Sequence, residues 1–377
     1  MRFPEDVPTL SDGVVTLRAP RESDAPGVLE QCLDPESVRW TTVPVGYTEA
    51  DARTYLLADI PGWWRSESEH VFVVEADRDG VPSYAGNIGL VARGDGRAEL
   101  AYGASAWVRR RGVTERAVRL LVRWGFEQLG LQVVEWWAHE GNWASRRLAW
   151  KVGFTFDGTV RRHLSQRGEL RDGWVGTVLP GEPLAPRHRW LDVPEVHGDR
   201  VHLRPLRAAD DPRVVEACGD PTTSDWLGQL PSPYASGDAA TWRHQSACRA
   251  ADGTAVVWAV ADASDQLVGA VNLFDLEDGR SAELGYWTHP DARGQGLTVE
   301  ACRLALRHAF LDGEDGALGL EQVHAFAAVG NQASRGVLTS AGLLVQGLAR
   351  RHVLTRRGLE DAVAFDLLRE EWEAARS

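Results

Sequence analysis

The chain of 377 residues is long enough for two or three domains, and 44% hydrophobic with 25% charged residues is the composition of an ordinary globular protein. A formal net charge of −13 argues against a broad nucleic-acid or anionic-membrane surface, so we expect neither as a partner. The sequence contains no apolar run as long as the roughly 18 residues of a membrane span and no N-terminal apolar signal core, which predicts a cytoplasmic protein.

The four cysteines are too far apart for a CxxC pair, and the histidines lack the spacing of metal ligands. We therefore expect reduced thiols and no metal site. Cys302 falls in a predicted long helix without the context of a nucleophile paired with His and Asn, so a covalent acyl-cysteine mechanism is disfavoured.

The chain repeats itself at offsets of 184 to 189 residues. The matching segments keep one order: Val15–Pro20 with Val201–Leu206, Ala98–Tyr102 with Ala282–Tyr286, Arg109–Thr114 with Arg293–Thr298, and Gly141–Arg146 with Gly330–Arg335. Three prolines within residues 180–186 break the pattern between the copies, as a linker does. The sequence predicts two homologous domains, 1–180 and 196–377, joined by a Pro-rich linker over 181–195.

Each half has the pattern of a mixed α/β unit. An alternating strand at Val15 or Val201 is followed by a helix that Asp24, or Asp210 or Asp211, could cap. Three strands follow, at 70–76, 85–92 and 98–103 in the first half and at 255–261, 268–274 and 282–288 in the second. Next come a long amphipathic helix from Val113 or Leu297, a strand at 132–138 or 321–328, a helix begun near Asn142 or Asn331, and a closing hairpin around 167–168 or 357–358.

The most specific chemical feature is an Arg-x-x-Gly-x-Thr loop that opens directly into the long helix. A helix N-terminus offers free N–H groups and a positive dipole to an anion, and glycine lets the backbone approach closely. Neither copy is a Walker A loop or a GxGxxG fingerprint, so ATP and dinucleotides are disfavoured. The alternative is a plain strand-to-helix turn with solvated arginines. The residues are Arg109, Arg110, Arg111, Gly112, Val113 and Thr114, and Arg293, Gly294, Gln295, Gly296, Leu297 and Thr298.

Together these motifs resemble the GNAT (GCN5-related) N-acyltransferases, in particular the RimJ/RimL-like branch. The two loops are similar to the pyrophosphate motif of the family, although Thr114 and Thr298 stand at its last small position. The strand Glu283–Trp287 matches the branch, and the first copy keeps only Glu-Leu-x-Tyr of it, beginning at Glu99. Asn-x-x-Ser before Gly-Phe or Gly-Leu follows in both halves, beginning at Asn142 and Asn331.

The resemblance implies an α/β fold of two tandem GNAT domains, each a mostly antiparallel, splayed sheet flanked by helices. It implies acetyl-CoA, or another short acyl-CoA, with its pyrophosphate on the two loops and direct attack by an amine. Glu99 and Glu283 become candidate bases, and Ser145 and Ser334 candidate donors to the sulfur of CoA. Asn142 and Asn331 would bind pantetheine or order the start of a helix.

Several alternatives stay open at this stage. Asn-x-x-Ser is also the pattern of a helix N-cap, and a glutamate on a strand could simply face solvent. The acceptor is either a protein N-terminal amine or a small cationic amine, such as a polyamine or an aminoglycoside-like antibiotic. One or both domains could instead have lost catalysis and serve as an acyl-CoA sensor or an interaction module.

Overall fold

The computed structural model describes residues 2–313 and 316–376. The chain divides into two compact units, Met1–Arg187 and His188–Ser377, and the division lies within the segment 181–195. Each unit contains one eight-stranded sheet with helices packed against it. The predicted α/β fold of two tandem domains, each with a mostly antiparallel sheet, is confirmed.

The N-terminal domain follows the predicted element order. Its strands are β1 (Leu10–Ser11), β2 (Val15–Arg18), β3 (Glu69–Arg78), β4 (Val81–Gly94), β5 (Arg97–Ala104), β6 (Val133–His139), β7 (Thr155–Gln166) and β8 (Glu169–Val178). Its α-helices are α1 (Ala25–Leu33), α2 (Pro35–Trp40), α3 (Glu49–Thr54), α4 (Ile60–Ser66), α5 (Val113–Leu129) and α6 (Trp143–Val152). A π-helical turn at Tyr55–Asp59 joins α3 to α4.

The C-terminal domain repeats this order. Its strands are β9 (Val196–His197), β10 (Val201–Arg204), β11 (Val256–Asp262), β12 (Leu267–Glu277), β13 (Ser281–Thr288), β14 (Gln322–Ala328), β15 (Leu344–Thr355) and β16 (Gly358–Leu368). Its α-helices are α7 (Asp211–Gly219), α8 (Pro221–Trp226), α9 (Ser236–Ala251), α10 (Leu297–Phe310), α11 (Gln332–Ala341) and α12 (Arg369–Ala374).

The two sheets have the same topology, β1-β2-β3-β4-β5-β6-β8-β7 and β9-β10-β11-β12-β13-β14-β16-β15. All neighbouring strands are antiparallel except β5 with β6 and β13 with β14, where the crossover through α5 or α10 makes the pair parallel. These parallel pairs are short. Arg97–Leu100 pair with Val133–Trp136, and Ser281–Glu283 pair with Gln322–His324, although all four strands continue further. The strands therefore part halfway along, as the splayed sheet requires.

The long helix of each domain covers one face of the sheet. In α10 the small residues Ala301, Cys302 and Ala305 are fully buried, which brings the helix close to the strands. Phe310 and Trp258 are also buried in this core. Burial raises the pKa of the Cys302 thiol, so this side chain is an inert part of the core rather than a nucleophile.

A buried ion cluster ties the first strand of each domain to the helix that follows. The Arg18 guanidinium donates to Asp24 at 2.8 and 2.9 Å and to Glu75 at 2.7 Å. The C-terminal domain repeats the cluster with Arg204, Asp210 and Asp265. Asp24 and Asp210 stand at the N-cap positions of α1 and α7, but neither carboxylate bonds an N–H of that helix, so the side-chain cap that was predicted is not formed. The carboxylates accept instead from the arginine side chains and from the backbone N–H of Arg21 or Arg207.

Within residues 2–313 and 316–376, no helix is both long enough and apolar enough to cross a membrane.

Candidate active site

Each long helix begins at a glycine in the left-handed region. Gly112 has φ of 74° immediately before α5, and Gly296 has φ of 75° immediately before α10. In each helix, the first N–H that donates to the carbonyl four residues earlier belongs to Arg116 or Glu300. The N–H groups before it lie ahead of the helical hydrogen bonds, where the helix itself supplies no acceptor. A Cβ placed on Gly112 would meet no atom within 4 Å, which shows that the loop has an open side. Open space, free N–H groups and a positive dipole fit a pyrophosphate.

The leading arginine of each loop forms an ion pair with an aspartate. The Arg109 guanidinium forms an ion pair with Asp34, and Arg293 does the same with Asp220 while also donating to the Thr223 hydroxyl at 2.7 Å. These aspartates are the N-caps of α2 and α8. The arginine side chains thus tie the loops to a neighbouring helix.

The two loops differ at their second residue. Arg110 has φ of 62°, a conformation that glycine adopts readily and arginine rarely. Gly294 occupies the same place in the C-terminal loop with φ of 74°. The N-terminal loop therefore carries backbone strain and two exposed arginines, Arg110 and Arg111, where the C-terminal loop has Gly294 and Gln295.

The two candidate bases lie at the same place in their sheets but in different surroundings. Glu99 lies opposite Glu135 on β6, and its carboxylate accepts a hydrogen bond from the Arg93 Nε at 3.1 Å. Glu283 lies opposite His324 on β14. The Glu283 side chain is 24% exposed and is thus partly buried. Burial, with a further contribution from Asp275, raises the pKa of Glu283 to about 7.

The two serines stand in the first turn of α6 and α11 beside a tyrosine of the parted strand. The Ser145 Oγ lies 2.7 Å from the Tyr102 hydroxyl, and the Ser334 Oγ lies 2.8 Å from the Tyr286 hydroxyl. Ser145 also accepts a hydrogen bond from the indole N–H of Trp136 at 2.9 Å. The corresponding residue of β14 is alanine, so the C-terminal serine has no indole partner from this position.

The two asparagines order the start of the helices. The Asn142 Oδ1 accepts from the N–H of Ser145 at 3.2 Å, and the Asn331 Oδ1 accepts from the N–H of Ser334 at 3.0 Å. Both are N-caps, which was one of the two roles expected for them. The cap thus fixes the backbone of the serine whose hydroxyl contacts the tyrosine.

The geometry assembles a two-sided site in each domain. Side chains alternate along a strand, so Glu283 and Tyr286, three residues apart, face opposite sides of β13. Strands β13 and β14 part immediately beyond Glu283 and His324. A carboxylate thus lies on one face of the opening and a Tyr–Ser pair on the other. Both tyrosines belong to sequence motifs, but no signal in the sequence assigns them a role. His324, Arg93 and Asp275 could not be found from the sequence, because only the folded sheet brings them close to the glutamates.

A splayed sheet with an anion-binding loop at the start of the following helix defines the acyl-CoA N-acyltransferase class. The family described as "Acetyltransferase (GNAT) domain" matches the chain twice, over residues 15–155 and 200–344. The chain belongs to this family and contains two copies of its domain, which confirms the resemblance to the GNAT N-acyltransferases.

Two curated relatives match part of the chain. The chain is 37% identical to "Putative ribosomal N-acetyltransferase YdaF" of Bacillus subtilis (strain 168) over 108 residues. The match covers 28% of this chain and 56% of that protein. Over 111 residues it is 32% identical to "Probable N-acetyltransferase YjcK" of the same organism, covering 29% and 59%. The chain thus spans little more than half the length of these relatives.

Among solved structures, the chain is similar to "Mycobacterium smegmatis RimJ in complex with CoA-disulfide" at 21% identity, with a TM-score of 0.42 over 50% of this chain and 96% of that one. It is also similar to "Crystal structure of Probable acetyltransferase" at 27% identity, with a TM-score of 0.43 over 48% and 100%.

Proposed function

We propose that the C-terminal domain transfers an acetyl or another short acyl group from CoA to a primary amine. The observation that carries this proposal is Glu283, a carboxyl group with a pKa of about 7 at the place where β13 and β14 part. A general base works best when its pKa lies near the operating pH. Glu283 can therefore accept a proton from an ammonium group near neutral pH and release it again.

The other residues of the site have complementary roles in this proposal. The backbone N–H groups of the loop Arg293–Thr298 would hold the pyrophosphate of acyl-CoA, with the Arg293 side chain keeping the loop in place. When bound, acyl-CoA supplies an activated acyl group. The hydrogen-bonded pair of Tyr286 and Ser334 can donate a proton to a sulfur atom that acquires negative charge.

We infer a protein N-terminal amine as the first candidate acceptor. An α-amino group has a pKa of about 7.7–8.0, so a base with a pKa near 7 removes its proton easily. The name of the relative YdaF, a ribosomal N-acetyltransferase, supports the same class. A small cationic amine is the second candidate, because the exposed acidic residues Asp275 and Glu277 near Glu283 would attract it.

The reduced cysteines fit a cytoplasmic location.

For the N-terminal domain we propose acyl-CoA binding with little or no catalysis. The Arg93 guanidinium occupies the carboxylate of Glu99, and the indole of Trp136 occupies Ser145. The Arg93 guanidinium thus competes with a cationic amine for the carboxylate of Glu99. This domain would then act as the sensor or interaction module considered for a degenerate copy.

The test uses the full chain with acetyl-CoA and follows thiol release and product mass. The acceptors are a peptide with a free N-terminal serine, the same peptide N-acetylated as the negative control, spermidine, and an aminoglycoside. Glu283→Gln should lower kcat by about 10²-fold or more, while CoA affinity changes only a few-fold. The matched variant Glu99→Gln should retain most of the activity. CoA binding without thiol release for any amine would instead favour a sensor.

A further inference from the structure

A row of four side chains crosses the C-terminal sheet at the level where the strands part. Phe274 of β12 lies opposite Glu283 of β13, Glu283 lies opposite His324 of β14, and His324 lies opposite Asp366 of β16. Residues that are opposite one another in a sheet point to the same face. The register therefore places one imidazole between two carboxylates, on the face that Glu283 presents.

The imidazole of His324 is close enough to Glu283 to exchange a proton with small movements. Its Nε2 lies 3.8 Å from the Glu283 Oε2, and the two side chains are 32% and 24% exposed. On the other side of the imidazole, Asp366 is held in place by the amides of Gln322, at 2.8 Å, and Gln346. His324 thus lies opposite a carboxylate that two amides hold in place, and the side chains of both Glu283 and His324 are partly exposed to water.

Charged groups of strands β12, β15 and β16 act on the pKa of His324. Burial lowers the pKa of His324, and His352 of β15 lowers it further. Asp275 and Glu277 at the end of β12 and Asp366 of β16 act in the opposite direction. The buried environment thus favours a neutral imidazole, which can accept a proton, while the surrounding carboxylates stabilise the imidazolium once it has formed.

The N-terminal domain has no imidazole in this row. Glu135 occupies the position of His324, where its carboxylate accepts from the Trp137 indole at 3.2 Å and pairs with Arg97 at 3.6 Å. Thr177 occupies the position of Asp366. The row of carboxylate, imidazole and carboxylate formed by Glu283, His324 and Asp366 therefore occurs in the C-terminal sheet and not at the equivalent positions of the N-terminal sheet.

We propose that His324 is a positioning and proton-relay residue of the C-terminal site, which takes from Glu283 the proton that Glu283 removes from the amine. This inference rests on the proposed function. The steps conserve every proton. An N–H bond of the ammonium breaks and an O–H bond forms on Glu283. The proton then moves to Nε2 of His324, which regenerates the carboxylate, and the imidazolium releases it to water. No electron transfer is involved.

The relay makes a kinetic prediction for the full chain with acetyl-CoA and the peptide with a free N-terminal serine. His324→Gln should lower kcat by about 10-fold or more with little change in KM, because proton removal slows while binding does not. Added imidazole should restore part of the lost kcat, which a purely structural defect would not allow. The control is His202→Gln. His202 lies on strand β10, away from the strands that part, and its Nε2 is also near a carboxylate oxygen, that of Asp265 at 3.1 Å.

A second measurement tests the pair without any turnover. The ring nitrogen signals of His324, identified by their loss in His324→Gln, are titrated by NMR in the wild type and in Glu283→Gln. Because the two groups exchange one proton in the relay, the His324 signals should follow two titration steps in the wild type and a single step in Glu283→Gln. An unchanged His324 titration, or a normal pH–rate profile with full kcat in His324→Gln, would overturn the relay. If no amine is acetylated by the wild type, the proposed function fails, while the titration still decides whether the two groups are coupled.

Discussion

Replacing Glu283 by glutamine should stabilise the protein at alkaline pH even though it removes the proposed base. In the folded chain the carboxyl group ionises at about 7, compared with the ordinary value of 4.5. A carboxyl group whose pKa is raised by folding lowers the stability of the folded state as the pH rises, because the unfolded chain releases the proton at a lower pH. Stability contributed by the protonated form is thus present below pH 4.5 and is lost as the pH rises through 7.

The size of this effect follows from the difference between the two pKa values. At about 1.4 kcal/mol for each pKa unit, the penalty is near zero at pH 4 and approaches an upper limit of about 3 kcal/mol at pH 8. The side chain is 24% exposed, so solvent reduces the real value somewhat. Glutamine has nearly the same shape and cannot ionise, so Glu283→Gln should be as stable as the wild type at pH 4 and more stable at pH 8.

The assay is urea unfolding of the full chain at several pH values between 4 and 8.5, with Trp fluorescence and circular dichroism as probes. Glu99→Gln is the matched control, since Glu99 occupies the equivalent strand position of the N-terminal domain and its carboxylate is paired with Arg93. A stability difference between wild type and Glu283→Gln that is the same at pH 4 and pH 8 would refute the reasoning. The site would then be wetter than its burial indicates.

Three further substitutions test other parts of the structure. Arg110→Gly should stabilise the N-terminal domain by about 1 kcal/mol in thermal unfolding by relieving a left-handed arginine, and Gly294→Arg should destabilise the other domain by a similar amount. Arg204→Met should cost about 3–5 kcal/mol because it leaves a buried carboxylate unpaired, whereas the half-exposed Arg207→Met should cost under about 1 kcal/mol in the same denaturant series. Gly296→Asp should weaken CoA binding in calorimetry at least about 10-fold through charge repulsion, and retention of both affinity and stoichiometry would argue against this loop as the pyrophosphate site.

Much of the fold could be predicted because its signals are local. The strand predicted at 98–103 is found at Arg97–Ala104, and the helix predicted from Val113 begins there. Alternation of apolar residues and glycine punctuation depend only on neighbours in the chain, and the internal repeat supplied a second copy of each signal.

The electrostatics of the site could not be predicted in the same way. The sequence shows equivalent glutamates at 99 and 283, but only the pairing of strands shows that one faces Glu135 and the other His324. The role of Asp34 as the partner of Arg109 likewise joins residues 75 positions apart. The sequence contained a usable signal for the cap itself, because Asp-Pro occurs at the same place in both copies.

The position of Arg93 and Asp275 has an evolutionary consequence. Both lie near the hairpin turn that precedes the strand of the candidate base, and both are exposed at the surface. Neither contributes to the buried core, so a substitution at either place carries little risk to folding. A duplicated domain can therefore change the charge beside its glutamate while its fold stays intact. The hairpins of the two domains show such a difference, with Arg93 beside Glu99 and Asp275 near Glu283.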